Sequence, residues 1–175
     1  MGPTAKPPPA SSPRLRYVGV IGGRDCTPEE ARLAYEVGQG IARAGWVLVC
    51  GGGPGIMAEA CRGCRAEGGV SLGILFEDSR EEANPYLSYS VVTGMGVARN
   101  ALVVKSCDVV VAVAGAFGTL SEIALANNVG IPVIGLASWR IDPAQNKGQS
   151  VYWREADTAG EAVRRVGEYF AGLQV

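Results

Sequence analysis

The chain has 175 residues and no histidine. That absence removes Ser-His-Asp and Cys-His mechanisms, imidazole bases and histidine-ligated metals. Acid–base work is left to Asp, Glu, Lys, Tyr or Cys. An excess of either charge is missing too: 16 Lys and Arg face 17 Asp and Glu, for a net charge of −1. Electrostatics therefore gives no reason to expect a nucleic-acid or membrane surface. Long apolar runs are lacking, and the stretch from Val109 to Ala116 is far too short to cross a bilayer. The five cysteines (Cys26, Cys50, Cys61, Cys64 and Cys107) are too few and odd in number for a disulfide framework. A reducing, cytoplasmic location is expected.

What is present fits one soluble globular domain: 47% hydrophobic and 19% charged residues in a chain long enough to bury a core. Residues 1–15 read as a disordered Pro/Ser-rich tail and residues 16–175 as a single domain. The tail has no apolar segment of the secretory kind, and Lys6 stands where myristoylation needs Ser or Thr.

From Arg16 onward, strand and helix patterns alternate. "RYVGVIGG" reads as strand one. The helix "TPEEARLAYEVGQGIARAG" follows, with Thr27 as N-cap, Pro28 at the first helical position, Glu30 closing a capping box and Gly45 ending it. "WVLVC", "VSLGILF", "LSYSVVTG", "DVVVAVAG" and "IPVIGLA" read as further strands, and "SVYWREA" as a short edge strand. Glu77 to Tyr86 is polar, contains "NP" and reads as a loop. "IMAEACRGCRAEG", "MGVARNALVVKSC" and the segment opened by "GTLSE" read as helices. The last helix, "DTAGEAVRRVGEYFAGL", suggests a second capping box through Thr158 and Glu161. Near-continuous β-branched strands between helices predict a mainly parallel sheet covered on both faces, a Rossmann-like doubly wound α/β fold.

In such sheets ligands sit beyond the carboxyl ends of the strands. Glycine concentrates there: Gly22 and Gly23, Gly51 to Gly55 with Gly52, Gly53 and Gly55 foremost, Gly94 with Gly96, and Gly115 with Gly118. Glycine allows close backbone approach, and helix N-termini attract anions. Four such loops point to a phosphorylated ligand. There is no GxxxxGK[ST] and no GxGxxG with a ribose-reading acid, so a mononucleotide or phosphosugar fits better than a triphosphate or dinucleotide. Each candidate has a plain structural alternative. Glu122 in the first helical turn would favour the helix dipole, Thr119 would be an N-cap, and Arg99 would be a solvated helix residue. Cys61 and Cys64 would be helix packing rather than a CxxC redox or metal pair, and Trp139 and Trp153 would pack an edge rather than stack on a base.

The sequences "GGGPGIMAEACRGC" and "AGAFGTLSE", preceded by "GVARN", resemble the paired signatures of the LONELY GUY family, once labelled lysine decarboxylases. The resemblance runs from about Tyr17 to Leu136. The pattern with "TGMGVARN" and "GTLSEIALA" also resembles molybdenum cofactor carrier proteins and their bacterial relatives. The first likeness implies hydrolysis of the N-glycosidic bond of a nucleoside 5′-monophosphate, with Arg99 and Glu122 in the catalytic positions. It also implies a phosphate cradle of Gly115, Gly118 and Thr119, with Gly52 and Gly53 opposite. The second implies a non-enzymatic carrier or sensor of a phosphorylated pterin or nucleotide. Lysine decarboxylation is not expected, since no pyridoxal-phosphate signature is present. No cofactor or metal is required on either reading, although nucleotide, phosphate or molybdenum cofactor is a candidate bound ligand. A homodimer or homotetramer is the expected assembly. The chain departs from the hydrolase pattern at three places. Ala114-Gly115-Ala116 replaces Pro-Gly-Gly, Arg99-Asn100 replaces Arg-Lys, and Ala58 replaces a Glu that reappears one place later as Glu59.

Overall fold

The inner strands are short runs rich in Val, Ile and Leu, the edge segments YSVV and WREA are more polar, and helices alternate with them, so the chain folds as a layered α/β domain. The computed structural model describes residues 14–142 and 152–172. The expected tail, save residues 14 and 15, lies outside the described residues, as do Ser150 and Val151 of the expected edge strand.

In chain order the elements are β1 (Tyr17–Gly22), α1 (Pro28–Arg43), β2 (Val47–Cys50), α2 (Ile56–Ala66), β3 (Val70–Leu75) and β4 (Tyr89–Val92). A 3₁₀ turn (Gly96–Arg99) leads into α3 (Asn100–Lys105), followed by β5 (Val109–Val113), α4 (Phe117–Asn128), β6 (Val133–Leu136), β7 (Trp153–Ala156) and α5 (Ala159–Phe170). The strands form one seven-stranded sheet in the order β4-β3-β2-β1-β5-β6-β7, with every pairing parallel.

Local sequence explains the helix ends. Glu30 N–H donates to Thr27 Oγ1 (3.3 Å) and Thr27 N–H to Glu30 Oε2 (2.7 Å), which completes the capping box of α1. At the far end Gly45, at φ 72°, lets Trp46 N–H reach Ile41 O (3.1 Å), a Schellman stop. The second expected box is only half formed. Glu161 N–H donates to Thr158 Oγ1 (3.1 Å), but the Glu161 carboxylate accepts from Asp157 N–H instead (3.0 Å). The helix expected over "MGVARNALVVKSC" also shortens, because Gly94 and Gly96 both sit at positive φ. Their N–H groups bond to Glu77 O and Phe76 O, which ties this turn to the end of β3 before α3 begins.

One sheet face packs on α1, α2 and α5 through Val18, Val20, Leu48, Val109, Val111 and Ile134. The other packs on α3 and α4 through Ile21, Val49, Val110, Ala112 and Val133. Burial of these side chains is the main stabilising contribution. Coverage of the second face stops at the outer strand β4: Ile74 of β3 is buried, but Tyr89 and Val91, the partners of Leu72 and Ile74, remain 67% and 49% exposed. Among the described residues no helix is long and apolar enough to cross a membrane.

Candidate functional site

From β1 the sheet grows one way through β2, β3 and β4, and from β5 it grows the other way through β6 and β7. The loops leaving β1 and β5 therefore diverge, and a crevice opens at their carboxyl ends. A cavity of about 400 Å³ lies there. Gly22, Gly23, Arg24 and Asp25 after β1 line one side, and Ala116, Gly118, Thr119 and Glu122 of the β5–α4 junction line the other. Gly51, Arg99 and Asn100 add polar groups, while Ile21, Met57, Phe76 and Val97 make the apolar wall.

Arg99 is not a solvated helix residue: the last residue of the 3₁₀ turn, it is only 7% exposed. Its Nη2 donates to Gly51 O (3.2 Å) and its Nη1 to Asn100 Oδ1, and Nη1 also lies 3.8 Å from Glu122 Oε1. Its Nε is buried and has no hydrogen-bond partner. A Cβ on Gly51 would come within 2.8 Å of the guanidinium carbon, so only glycine lets Arg99 lie against this backbone. Asn100, where the hydrolases carry Lys, joins α3 to α4 by donating from Nδ2 to Ser121 Oγ (3.2 Å).

Glu122 belongs to the second turn of α4, not the first, because the helix begins at Phe117 and its first turn holds no acidic residue. The dipole explanation for this residue therefore fails. Burial pushes its carboxyl up to about 7, although the nearby Arg99 pulls the other way. Burial also lowers the pKa of Arg99, opposed by Glu122. Thr119 is likewise inside the helix rather than its N-cap. The cap position is Ala116, which has no side-chain acceptor to offer the first-turn N–H groups.

The β5–α4 bend contains a strained residue. Ala114 has φ 47° while its N–H donates to Leu136 O (3.0 Å). Proline at this place, as in the hydrolase signature, has neither that φ nor an N–H to donate. Ala116 has φ −110°, which any residue adopts, so glycine is not needed there. Gly115, at φ 103°, packs against Thr119, whereas nothing lies within 4 Å of where a Cβ on Gly118 would stand.

The Gly51–Gly55 loop is held by a residue that sequence reasoning missed. Asn84, 7% exposed, donates from Nδ2 to Gly52 O (3.1 Å) and Gly53 O (3.2 Å), and its backbone N–H bonds to Gly52 O (2.9 Å). The only hint was the "NP" dipeptide. Ile56 N–H, at the start of α2, is already taken by Gly23 O (3.0 Å).

Among the expected site residues, the fold brings Gly22, Gly23, Arg99, Gly118, Thr119 and Glu122 to the cavity wall. It does not bring Gly52, Gly53, Gly55 or Gly94 there, and Gly115 faces a neighbouring cleft beside Ser138 and Trp139. Arg24, Asp25 and Asn100 were the omissions, and Gly51 is the member of the Gly51–Gly55 loop that reaches the wall. Cys61 and Cys64 are fully buried core residues; Cys61 Sγ lies 3.6 Å from Cys50 Sγ, and all five cysteines are free. Burial pushes Cys64 up to about 12, the reverse of an activated thiol. Trp153 packs in the core on the α4 side, and Trp139 donates to Ala116 O (3.2 Å) beside the Phe117 ring.

A family model described as the SLOG cluster4 family matches residues 15–164. An uncharacterized protein of Archaeoglobus fulgidus is 39% identical over 123 residues, 70% of this chain and 81% of the relative. The molybdenum cofactor binding protein of Rippkaea orientalis superposes with a TM-score of 0.82 at 33% identity, over 91% of this chain and 99% of that one. The molybdenum cofactor carrier protein of Chlamydomonas reinhardtii gives 0.76 at 32% identity, over 90% and 99%. DNA processing protein A of Helicobacter pylori, at 20% identity and 0.66, shares the fold.

Proposed function

This chain belongs to the SLOG cluster4 family, and from that footing we propose that it is a non-enzymatic carrier or sensor of a phosphorylated pterin or nucleotide, with molybdenum cofactor the leading ligand. One observation carries this reading: the buried Arg99 at the cavity wall has an Nε without a partner. A buried donor left unpaired is costly, and a guanidinium turned toward the cavity would pair this Nε with a phosphate oxygen, an acceptor that matches its fork of donors. The cavity volume falls in the usual range for small-molecule sites, roughly 300–1,000 Å³. The uncapped start of α4 at the same wall adds N–H groups and partial positive charge. The structural likeness to two proteins named for molybdenum cofactor supports the pterin over other phosphorylated ligands.

Phosphoribohydrolysis is the second reading, favoured by the nearness of Arg99 to Glu122. Ala114 counts against it, because the signature proline does not fit this backbone. The deciding experiment incubates the protein with molybdopterin, AMP and other monophosphates, measuring binding and released base separately. Tight molybdopterin binding without base release supports the carrier. Base release that disappears in Glu122→Ala supports the hydrolase, and failure to bind any of them removes both.

We also place the protein in a reducing, cytoplasmic compartment, in keeping with its five free thiols. A second copy is the proposed cover for Tyr89 and Val91 at the sheet edge, making at least a homodimer. Light scattering on the wild type and on Val91→Lys tests this: a dimer that becomes a monomer supports it, and a wild-type monomer refutes it.

A further inference from the structure

Both cations at the cavity already face carboxylates. Arg24 lies 3.4 Å from Glu77 and 3.9 Å from Glu82, and Arg99 lies 3.8 Å from Glu122. A phosphate-like dianion would thus enter a wall with no spare positive charge. Bringing uncompensated charge into a low-dielectric cavity is costly, and the cost falls if a neighbouring carboxylate becomes neutral. Arg24 is half exposed, so water screens its pairs. Arg99 and Glu122 are both 9% exposed at the side chain, so theirs is screened far less.

We propose that anion binding at Arg99 is coupled to protonation of Glu122, so that the pocket takes up one proton as the ligand enters and lets the ligand go as the surroundings turn alkaline. This rests on the anion-site reading above. The groups around Glu122 leave it as the proton acceptor. Thr119 and Ser121 of its own helix and Asn100 of α3 carry no charge. The Cys107 thiol is buried and pushed upward, in part by Glu122 itself. Arg99 also interacts electrostatically with Cys50, Glu77 and Arg24, and Asp25 lines the wall that follows β1. Glu122 is the carboxyl that burial already holds near neutrality. Once protonated, it releases Arg99 to the ligand and gains an O–H to donate. By reciprocity, whatever the proton does for the anion the anion does for the proton.

The test uses the full chain with sulfate, which stays a dianion throughout the range, and AMP as a second probe. Calorimetric titrations in two buffers of different ionisation enthalpy read the protons exchanged per ligand bound. Uptake of one proton is expected above neutrality, with sulfate affinity falling ~10-fold per pH unit there. Glu122→Gln is expected to bind with no uptake and no pH dependence, and Cys50→Ser to keep both. Wild-type binding with flat affinity and no proton uptake overturns the coupling while leaving the anion site intact. Coupling that survives in Glu122→Gln or vanishes in Cys50→Ser overturns the assignment to Glu122. Absence of sulfate and AMP binding at every pH overturns the anion site itself. The wild-type measurement stands even if a variant fails to fold.

Discussion

Arg99 Nη1 lies 3.8 Å from Glu122 Oε1, across the gap between the turn that leads into α3 and the second turn of α4, and both side chains are shielded from water. The distance is long for a hydrogen bond, so attraction only partly repays the burial of the carboxylate. Glu122 therefore rises from 4.5 to about 7 on folding.

A pH dependence of stability follows. Between those two values the folded chain holds a proton that the unfolded chain has released, so folding stability falls as pH rises through the window. The stabilisation is fully present below 4.5 and gone above about 7. The contribution is at most about 3 kcal/mol. Urea titrations of the wild type and Glu122→Gln at several pH values check it. The difference between the two should slope downward for the wild type through this window, and parallel curves would contradict the assignment.

Ala114 gives a backbone test. Its φ of 47° is a left-handed conformation that Ala tolerates only with strain. Ala114→Gly should relieve that strain and change stability by no more than about 1 kcal/mol. Ala114→Pro should lose about 3 kcal/mol or more, since it forbids the dihedral and deletes the N–H bonded to Leu136 O. A thermal melt of both variants decides the matter. An Ala114→Pro protein as stable as wild type would mean that the hydrolase bend fits here after all.

Asn84 is expected to act on the pocket from a distance. Asn84→Ala removes the side-chain donors from Gly52 O and Gly53 O; the backbone N–H of residue 84 still serves Gly52 O, so Gly53 O is the carbonyl left short of a partner. The cost should be about 1–3 kcal/mol. Because Gly51 in the same loop accepts from Arg99 Nη2, AMP binding should weaken as well. Denaturation and AMP titration of the one variant measure both effects.

Elements whose signal is local could be read in the sequence. The capping box at Thr27, the glycine stop at Gly45 and the β-branched strands each depend on neighbours within a few residues. The strand-end glycines were legible as a class, but not which of them reach the cavity. That choice depends on strand order, which places β1 beside β5 and leaves Gly52 and Gly55 packed behind the wall. Glu122 was misplaced by a turn because "GT" looks like a helix start, while α4 begins at Phe117 without a capping side chain. Asn84 was illegible for a plainer reason: the carbonyls its side chain holds are 31 and 32 residues away.

Asn100 offers the sharpest separation of charge from position. Its Oδ1 accepts from Arg99 Nη1 and its Nδ2 donates to Ser121 Oγ, so it holds the guanidinium against α4 without adding charge. Asn100→Ala should loosen Arg99 and weaken AMP binding about tenfold, ~1.4 kcal/mol. The cation stays, so the sensitivity of binding to salt should stay with it. Arg99→Gln removes the charge, and its loss should be larger, with the salt sensitivity reduced. AMP titrations at two ionic strengths compare the variants directly. If Asn100→Ala flattens the salt dependence as Arg99→Gln does, Asn100 is not positioning Arg99 but supporting the site in some other way.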